Sequence, residues 1–336
     1  MNKNFFCSRK VYMCTFLLSL FAFCGCLQQS VGIKEFPVER TLQGSIVHDL
    51  DSLYSAYSIS LSSDYYVFTQ RDSFFFAVYN TSFQKVCETA RKGHGSKEWM
   101  APYVTGQQGV YGGEKYFYVL ERPTHKLFML SFRKDEQPVL VEDFKKIGER
   151  DFRYVFQTSP TAFIGSFDNE TCDFFVYDKQ KRSLKTKGQP ELGISSFKEL
   201  GHLLAQNIAS YNNKTQKIAI AYFSFPLLLI RDLKGNVVKE VRFDDWPKYT
   251  SDNIYDASDY AIGITSDAEN IYVLYDGAKR KKQMSILVFD WNGNPKQRLN
   301  INRSVAFAVN KQQNFIIAIN EDTQKGVCTK YSFVQE

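Results

Sequence analysis

The chain has 336 residues, of which 44% are hydrophobic and 15% aromatic, with a formal net charge of +6. A chain of that length and apolar content can bury a sizeable core and is not disordered. The modest charge argues against a nucleic-acid partner, which demands a concentrated basic surface.

The first 26 residues read as a targeting segment. Lys3, Arg9 and Lys10 form a basic head, residues 11–23 are an uncharged apolar run, and Phe23-Cys24-Gly25-Cys26 follows. The run is shorter than the roughly 20 apolar residues of a spanning helix. Its ending resembles the bacterial lipobox, in which a small residue precedes a cysteine that is lipidated on its thiol and becomes the mature N-terminus. Residues 1–25 are therefore expected to be a lipoprotein signal peptide, Cys26 the lipidated residue, and 26–35 a linker. The resemblance implies export and lipid anchoring to the bacterial cell envelope, at the outer membrane. Loss of the signal lowers the net charge from +6 to +3. The cysteines left beyond Cys26 are Cys87, Cys172 and Cys328, too far separated for a disulfide framework; one bridge is allowed and none is required.

From residue 36 onward one unit recurs, and its clearest copy spans residues 262–301. A short apolar strand (262–265) and a polar turn lead into the alternating strand 271–275, with Ile271, Val273 and Tyr275 on one face. A charged hairpin loop, a third strand (285–290), the turn Trp291-Asn292-Gly293-Asn294 and a fourth strand complete it. The landmark is the end of the third strand, where an apolar or aromatic pair runs into a turn. It falls at Asn80, Phe132, Asp178, Asp232, Asp290 and Ser332. Second strands precede these ends at 65–68, 116–120, 162–165, 217–222, 271–275 and 315–319, rich in the aromatic and β-branched residues that suit a sheet. Six four-stranded meanders, none able to stand alone, predict an all-β, six-bladed β-propeller over 36–336. The sixth copy ends after its third strand. Residues 36–42, with Phe36, Val38, Arg40 and Leu42 on one face, are expected to close it and remove an exposed edge.

Between the first two units stands Gly93-His94-Gly95-Ser96-Lys97-Glu98-Trp99-Met100-Ala101-Pro102, followed by Tyr118-Val119-Leu120-Glu121 and Lys126-Leu127-Phe128-Met129-Leu130. This resembles the repeat of NHL-type propellers, and looks particularly like the TolB-like six-bladed propeller lipoproteins of the Bacteroides group. Glu121 stands where the pattern has Asp, and Lys126 where it has Arg. The connector reads as structural: Gly93 and Gly95 permit positive φ, Trp99 fills the gap between blades, and Pro102 stiffens the start of the next.

The chain shows no G-x-S-x-G elbow, H-E-x-x-H, P-loop or paired C-x-x-C, so no catalytic residue is assigned. His48, His94, His125 and His202 lack metal spacing. Asp252, Asp256 and Asp259 form the densest acidic group outside turns and are the candidates for a polar ligand or a hard cation such as Ca²⁺, against a plain reading as solvated turn residues. No other cofactor is expected. Lys279, Arg280, Lys281 and Lys282 occupy a hairpin that is either solvated or in contact with anionic lipid or glycan. The expected function is a non-enzymatic recognition module whose loop face binds an envelope protein or a glycan. The alternative is a polysaccharide hydrolase or lyase at the channel mouth, with Asp252 and Asp256 as acid and base.

Overall fold

The computed structural model describes residues 31–333, except 33–34, 51–52, 54, 63, 96, 134–135, 148–151, 168–171, 189–191, 193–200, 251–252, 254–256, 278–281 and 322–326. Six antiparallel sheets follow one another along the chain, each built from consecutive strands. Blade one comprises Ser58–Ser62, Tyr65–Thr69, Phe74–Asn80 and Lys85–Arg91. Blade two comprises Pro102–Tyr111, Glu114–Glu121, Lys126–Ser131 and Val139–Asp143. Blade three comprises Phe152–Ser159, Ala162–Phe167, Cys172–Asp178 and Ser183–Gly188. Blade four comprises Asn207–Asn212, Lys217–Tyr222, Leu227–Asp232 and Val237–Arg242. Blade five comprises Ala261–Ser266, Asn270–Tyr275, Gln283–Asp290 and Pro295–Asn302. Blade six contributes Ser304–Asn310, Phe315–Asn320 and Cys328–Ser332 before the chain ends. The first strand of each blade lines the centre of the ring, against the first strands of its neighbours.

The recurring third-strand landmark has a local cause. Asp290 Oδ1 accepts the N–H groups of Asn292 and Asn294 at 2.9 Å each, and Gly293 takes the positive φ of +78° that closes the turn. Asp232, Lys234, Gly235 and Asn236 repeat the arrangement in blade four, with Gly235 at +79°. In blade one Asn80 plays the part of the aspartate, accepting from Ser82 and Gln84. An Asx acceptor at the strand end thus fixes the hairpin, which is why this position stays legible while the loops vary.

Two apolar faces per sheet must be covered, and each blade covers those of its neighbours. Phe76 meets Phe117 edge-on across the gap between blades one and two, with ring centroids 5.8 Å apart. Phe83 and Phe315 join blades one and six. Cys87, Cys172 and Cys328 are buried in blades one, three and six. The gap between blades three and four holds charge: Arg231 reaches both carboxylate oxygens of Asp173, at 2.9 and 3.0 Å, and the Tyr222 hydroxyl donates to Asp173 at 2.8 Å. Burial pushes the Asp173 carboxyl up, opposed by Arg231 and Tyr222. A pair this deeply enclosed costs about 3–5 kcal/mol if only one partner is removed, because the other is left charged and dry.

The closing strand is N-terminal, but it is not the segment 36–42. Gly44–Ile46 pairs antiparallel with Cys328–Ser332 and supplies the fourth strand of blade six. Val38–Thr41 instead lies parallel to the outer strand of blade five, as a fifth strand. Its alternating pattern is real, with Val38 and Arg40 less exposed than Glu39 and Thr41. Alternation does not say which edge a strand joins, and the anchors decide: Phe36 packs edge-on against Phe289 of blade five, 5.5 Å between centroids, beneath the Arg298 guanidinium. Val31–Gly32, expected in the linker, adds a short parallel strand to blade four.

Gly44 has no room for a side chain, since a Cβ would overlap the Thr329 methyl and lie 2.6 Å from the Tyr331 ring. Gly44→Val should therefore lower stability by about 1–3 kcal/mol through overpacking, read as a fall in Tm in thermal unfolding. A variant melting with the natural protein would show that this strand does not hold the ring closed.

Candidate functional site

The central space opens on two faces. Hairpin turns between first and second strands, and between third and fourth, surround one mouth, here the turn face. Blade-to-blade connectors and the loops between second and third strands surround the other, the connector face. A bulge in the long first strand of blade two lies between them: pairing with the second strand is interrupted between Val104 and Gln108, and Gly106 takes a φ of +80°. The bulge aims Gln107 across to blade three, where its Oε1 accepts the Gln157 N–H at 2.8 Å and its Nε2 donates to the Gln157 carbonyl. The Tyr118 hydroxyl donates to the Gln157 side chain at 2.8 Å.

On the turn face this divides off a cup of about 830 Å³. Its floor is made of amides: Gln107, Gln108 and Gln157, with Asn213 at the rim. Its wall carries Tyr111, Tyr118 and Tyr211, and Lys214 and Asp267 add charge to the polar lining. Blade two extends over this side, leaving Val110 71%, Tyr111 57% and Leu140 51% exposed. Amide side chains beside the exposed Tyr111 ring suit a neutral polyhydroxylated ligand.

Of the acidic sequence candidates, Asp259 lies on the connector face. Asp259 is exposed at the surface, yet partial desolvation by the surrounding loop and neighbouring Asp276 push its carboxyl up. Asp276 is held by Arg303 through two bonds of 2.7 Å, and Arg303 also pairs with Glu321. Asp252 and Asp256 lie outside the described residues. Among the described residues no group of three or more His, Cys, Asp and Glu could hold a metal ion. His48 and His94 are exposed, His125 rests against Phe152, and the His202 side chain lies outside the described residues. Lys282 is exposed, and the rest of its basic run, 279–281, is likewise outside.

The connector between blades one and two forms a hydrogen-bonded loop. Glu98 Oε2 accepts the Gly95 N–H at 2.9 Å, and Gly93 donates to the Trp99 carbonyl at 3.0 Å. Gly93 adopts a φ of +155°, and a Cβ there would overlap the Glu98 carboxylate. Trp99 is buried edge-on against Phe128, 5.0 Å between centroids, and Pro102 opens the first strand of blade two. Glu121 is the partner that the sequence reading did not supply. One of its oxygens accepts the N–H groups of both Met100 and Ala101 at 3.1 Å, which ties the end of the connector to blade two.

No family model matches the chain, and no curated protein matches it either. Its fold is shared with solved structures. A protein of Bacteroides fragilis classed as exported aligns with a TM-score of 0.58 at 12% identity, covering 92% of this chain and 100% of its own. A member of the DUF4221 family from Bacteroides vulgatus aligns at 0.53 and 10% identity, covering 89% and 98%. Regucalcin of Agrobacterium tumefaciens, a calcium-binding protein, aligns at 0.51 and 10% identity, covering 88% and 95%. At such identities the likeness is one of fold. The chain is a six-bladed β-propeller, as the connector motif implied, and shares that fold with these two Bacteroides proteins.

Glu121 offers a test of the connector's electrostatics. It is 5% exposed, its second oxygen has no partner among the described residues, and burial pushes its carboxyl above the ordinary 4.5 against the two backbone hydrogen bonds. The folded state therefore holds the proton more tightly than the unfolded one. The group's contribution to stability is full below pH 4.5 and is lost as pH rises through the folded value. Glu121→Gln, uncharged throughout, should match or exceed the natural protein at pH 7 by up to about 1 kcal/mol, with the difference closing toward pH 4.5. Urea unfolding at the two pH values measures this. A variant markedly weaker at pH 7 would show the ionised carboxylate to be a net asset.

Proposed function

We propose that the protein is a recognition module of the bacterial cell envelope, lipid-anchored through Cys26, that binds a neutral glycan in the turn-face cup. The observation that carries this reading is the composition of the cup: an amide floor, tyrosine walls and about 830 Å³ of space, within the range of small-molecule sites. Each sugar hydroxyl both donates and accepts, which amide side chains match without burying a charge. The exposed Tyr111 ring supplies the apolar contact for the ring carbons. The exposure of Val110, Tyr111 and Leu140 beside the cup supports a surface that is covered in use.

The reading as a hydrolase or lyase rested on Asp252 and Asp256, and no observation among the described residues favours it over binding. The lipid anchor rests on the lipobox-like ending at Cys26, and the export of the protein goes with it.

Thermal unfolding of the body from residue 27 onward, against a panel of neutral oligosaccharides, tests the binding reading. A ligand at a hundredfold excess over its Kd stabilises the fold by about 2.7 kcal/mol. Tyr111→Ala removes an exposed ring, so it should leave the unliganded Tm within about 2 °C of the natural protein and weaken binding about tenfold, the worth of one good aromatic contact. Unchanged affinity in this variant would place the ligand elsewhere. A panel with no active member would remove the glycan and leave an envelope protein as the partner, to be sought by cross-linking in intact cells. For the anchor, Cys26→Ser should move the protein from the membrane to the soluble fraction of envelope preparations; a variant still in the membrane would exclude lipidation at that residue.

A further inference from the structure

The connector-face mouth carries a feature that the glycan cup does not use. Four cations lie over four aromatic rings in succession across blades one to four. Lys92 is 4.9 Å from the Phe75 centroid, Arg71 is 5.7 Å from Tyr57, Arg122 is 4.9 Å from Tyr103, and Arg153 is 5.7 Å from Phe223. The placement follows from the fold. Arg71 and Arg122 occupy corresponding loops, directly after the second strands of blades one and two, while Tyr57 and Tyr103 stand at the connector-face end of the first strands of the same blades. Adjacent blades therefore repeat the same arginine-on-tyrosine pair around one opening.

The pairs converge. Tyr57 feels the charge of both Arg71 and Arg122, and Tyr103 that of Arg122 and Arg153. Behind them lies a cavity of about 410 Å³, whose wall at this end includes Tyr57, Tyr103, Arg153, Tyr154 and Phe223. The Tyr103 and Tyr154 hydroxyls share a hydrogen bond of 2.6 Å, which fixes the ring on which Arg122 rests.

Arg71 and Arg122 make no ion pair among the described residues, and the Arg122 Nε is buried without a hydrogen-bond acceptor. The nearby carboxylates of this face have other partners: Asp72 accepts from the Ser73 N–H, Glu98 pairs with Arg91, and Glu121 accepts from Met100 and Ala101, while across the ring Asp276 and Glu321 hold Arg303 and Asp244 accepts from Tyr275. Two guanidiniums without an ion pair repel one another, and Arg71 and Arg122 gain when an anion enters between them.

We propose that this mouth binds a small organic carboxylate, its anionic group held between the guanidiniums of Arg71 and Arg122 and its carbon body seated in the cavity against Tyr57 and Tyr103. A planar guanidinium presents paired donors that match a carboxylate. The ring-lined cavity behind favours an acid with a carbon body over an inorganic anion. The site lies on the face opposite the cup and stands independently of the glycan reading.

Isothermal titration at low ionic strength tests it, with glucuronate and benzoate as probes and inorganic phosphate and sulfate as controls. At least one of the two carboxylates should bind, with affinity falling as salt is added. Arg122→Gln should weaken it tenfold or more, as should Arg71→Gln, whose exposed side chain makes a folding defect an unsuitable explanation. Tyr111→Ala, on the opposite face, should bind the carboxylate as the natural protein does. Binding of phosphate or sulfate as tight as that of the carboxylates would overturn the assignment to an organic acid. Absence of binding by both carboxylates, or affinity unchanged in both arginine variants, would overturn the site itself.

Discussion

Mutual coverage of sheet faces is the constraint on which the rest of this molecule depends. A four-stranded meander with two apolar faces has no stable existence in water, and each blade here borrows its cover from the blades on either side. Such a stack is satisfied only when it returns on itself, because an open series would leave two bare faces. The C-terminal end of the chain supplies three strands of the last blade, and Gly44–Ile46 supplies the fourth. The glycine at the start of that short strand is dictated by Thr329 and Tyr331, which leave space for a bare backbone. Positions as far apart as the cup and the connector-face mouth inherit their rigidity from this junction.

Rigid sheets free the turns and connectors to differ, and the two faces have diverged in chemistry. The turn face gathers neutral amides and tyrosines around the Gln107 bridge. The opposite face gathers charge, with arginines over rings and carboxylates around Arg303. The same ring thus displays one surface suited to hydroxyls and another suited to anions, with the blade-two bulge between them. The charged pair Asp173 and Arg231 belongs to neither face: it is enclosed in the gap between two blades, where it fixes the match of blade three to blade four.

Much of the fold was legible because its signals are local. The third-strand ends at Asn80, Asp178, Asp232, Asp290 and Ser332 coincide with the observed ends, and an Asx side chain capping the turn explains the first, third and fourth of them. The closing strand was less legible. Residues 36–42 carry the stronger alternation, whereas Gly-Ser-Ile gives almost no pattern, and the choice of edge is made by Phe36 docking on a residue more than 250 positions away. The sites were less legible still. Gln107 and Gln157, or Arg71 and Tyr57, come together through the ring and not through spacing along the chain. The acidic run that attracted attention in the sequence contributes Asp259 to the connector face, beside a carboxylate already committed to Arg303. Glu121, read as a departure from a family pattern, proves to hold two backbone N–H groups of the connector.

The path of the N-terminal segment has a mechanical consequence. Before the first blade begins, the chain is stitched in turn to the outer edges of blades four, five and six, through Val31–Gly32, Val38–Thr41 and Gly44–Ile46. A pull applied at the N-terminus meets these attachments in series. The two-residue strand would part first and the four-residue strand next, each release paying out slack and dissipating work. The seam that keeps the ring shut is loaded last, so the first two strands act as sacrificial links that protect it from tension.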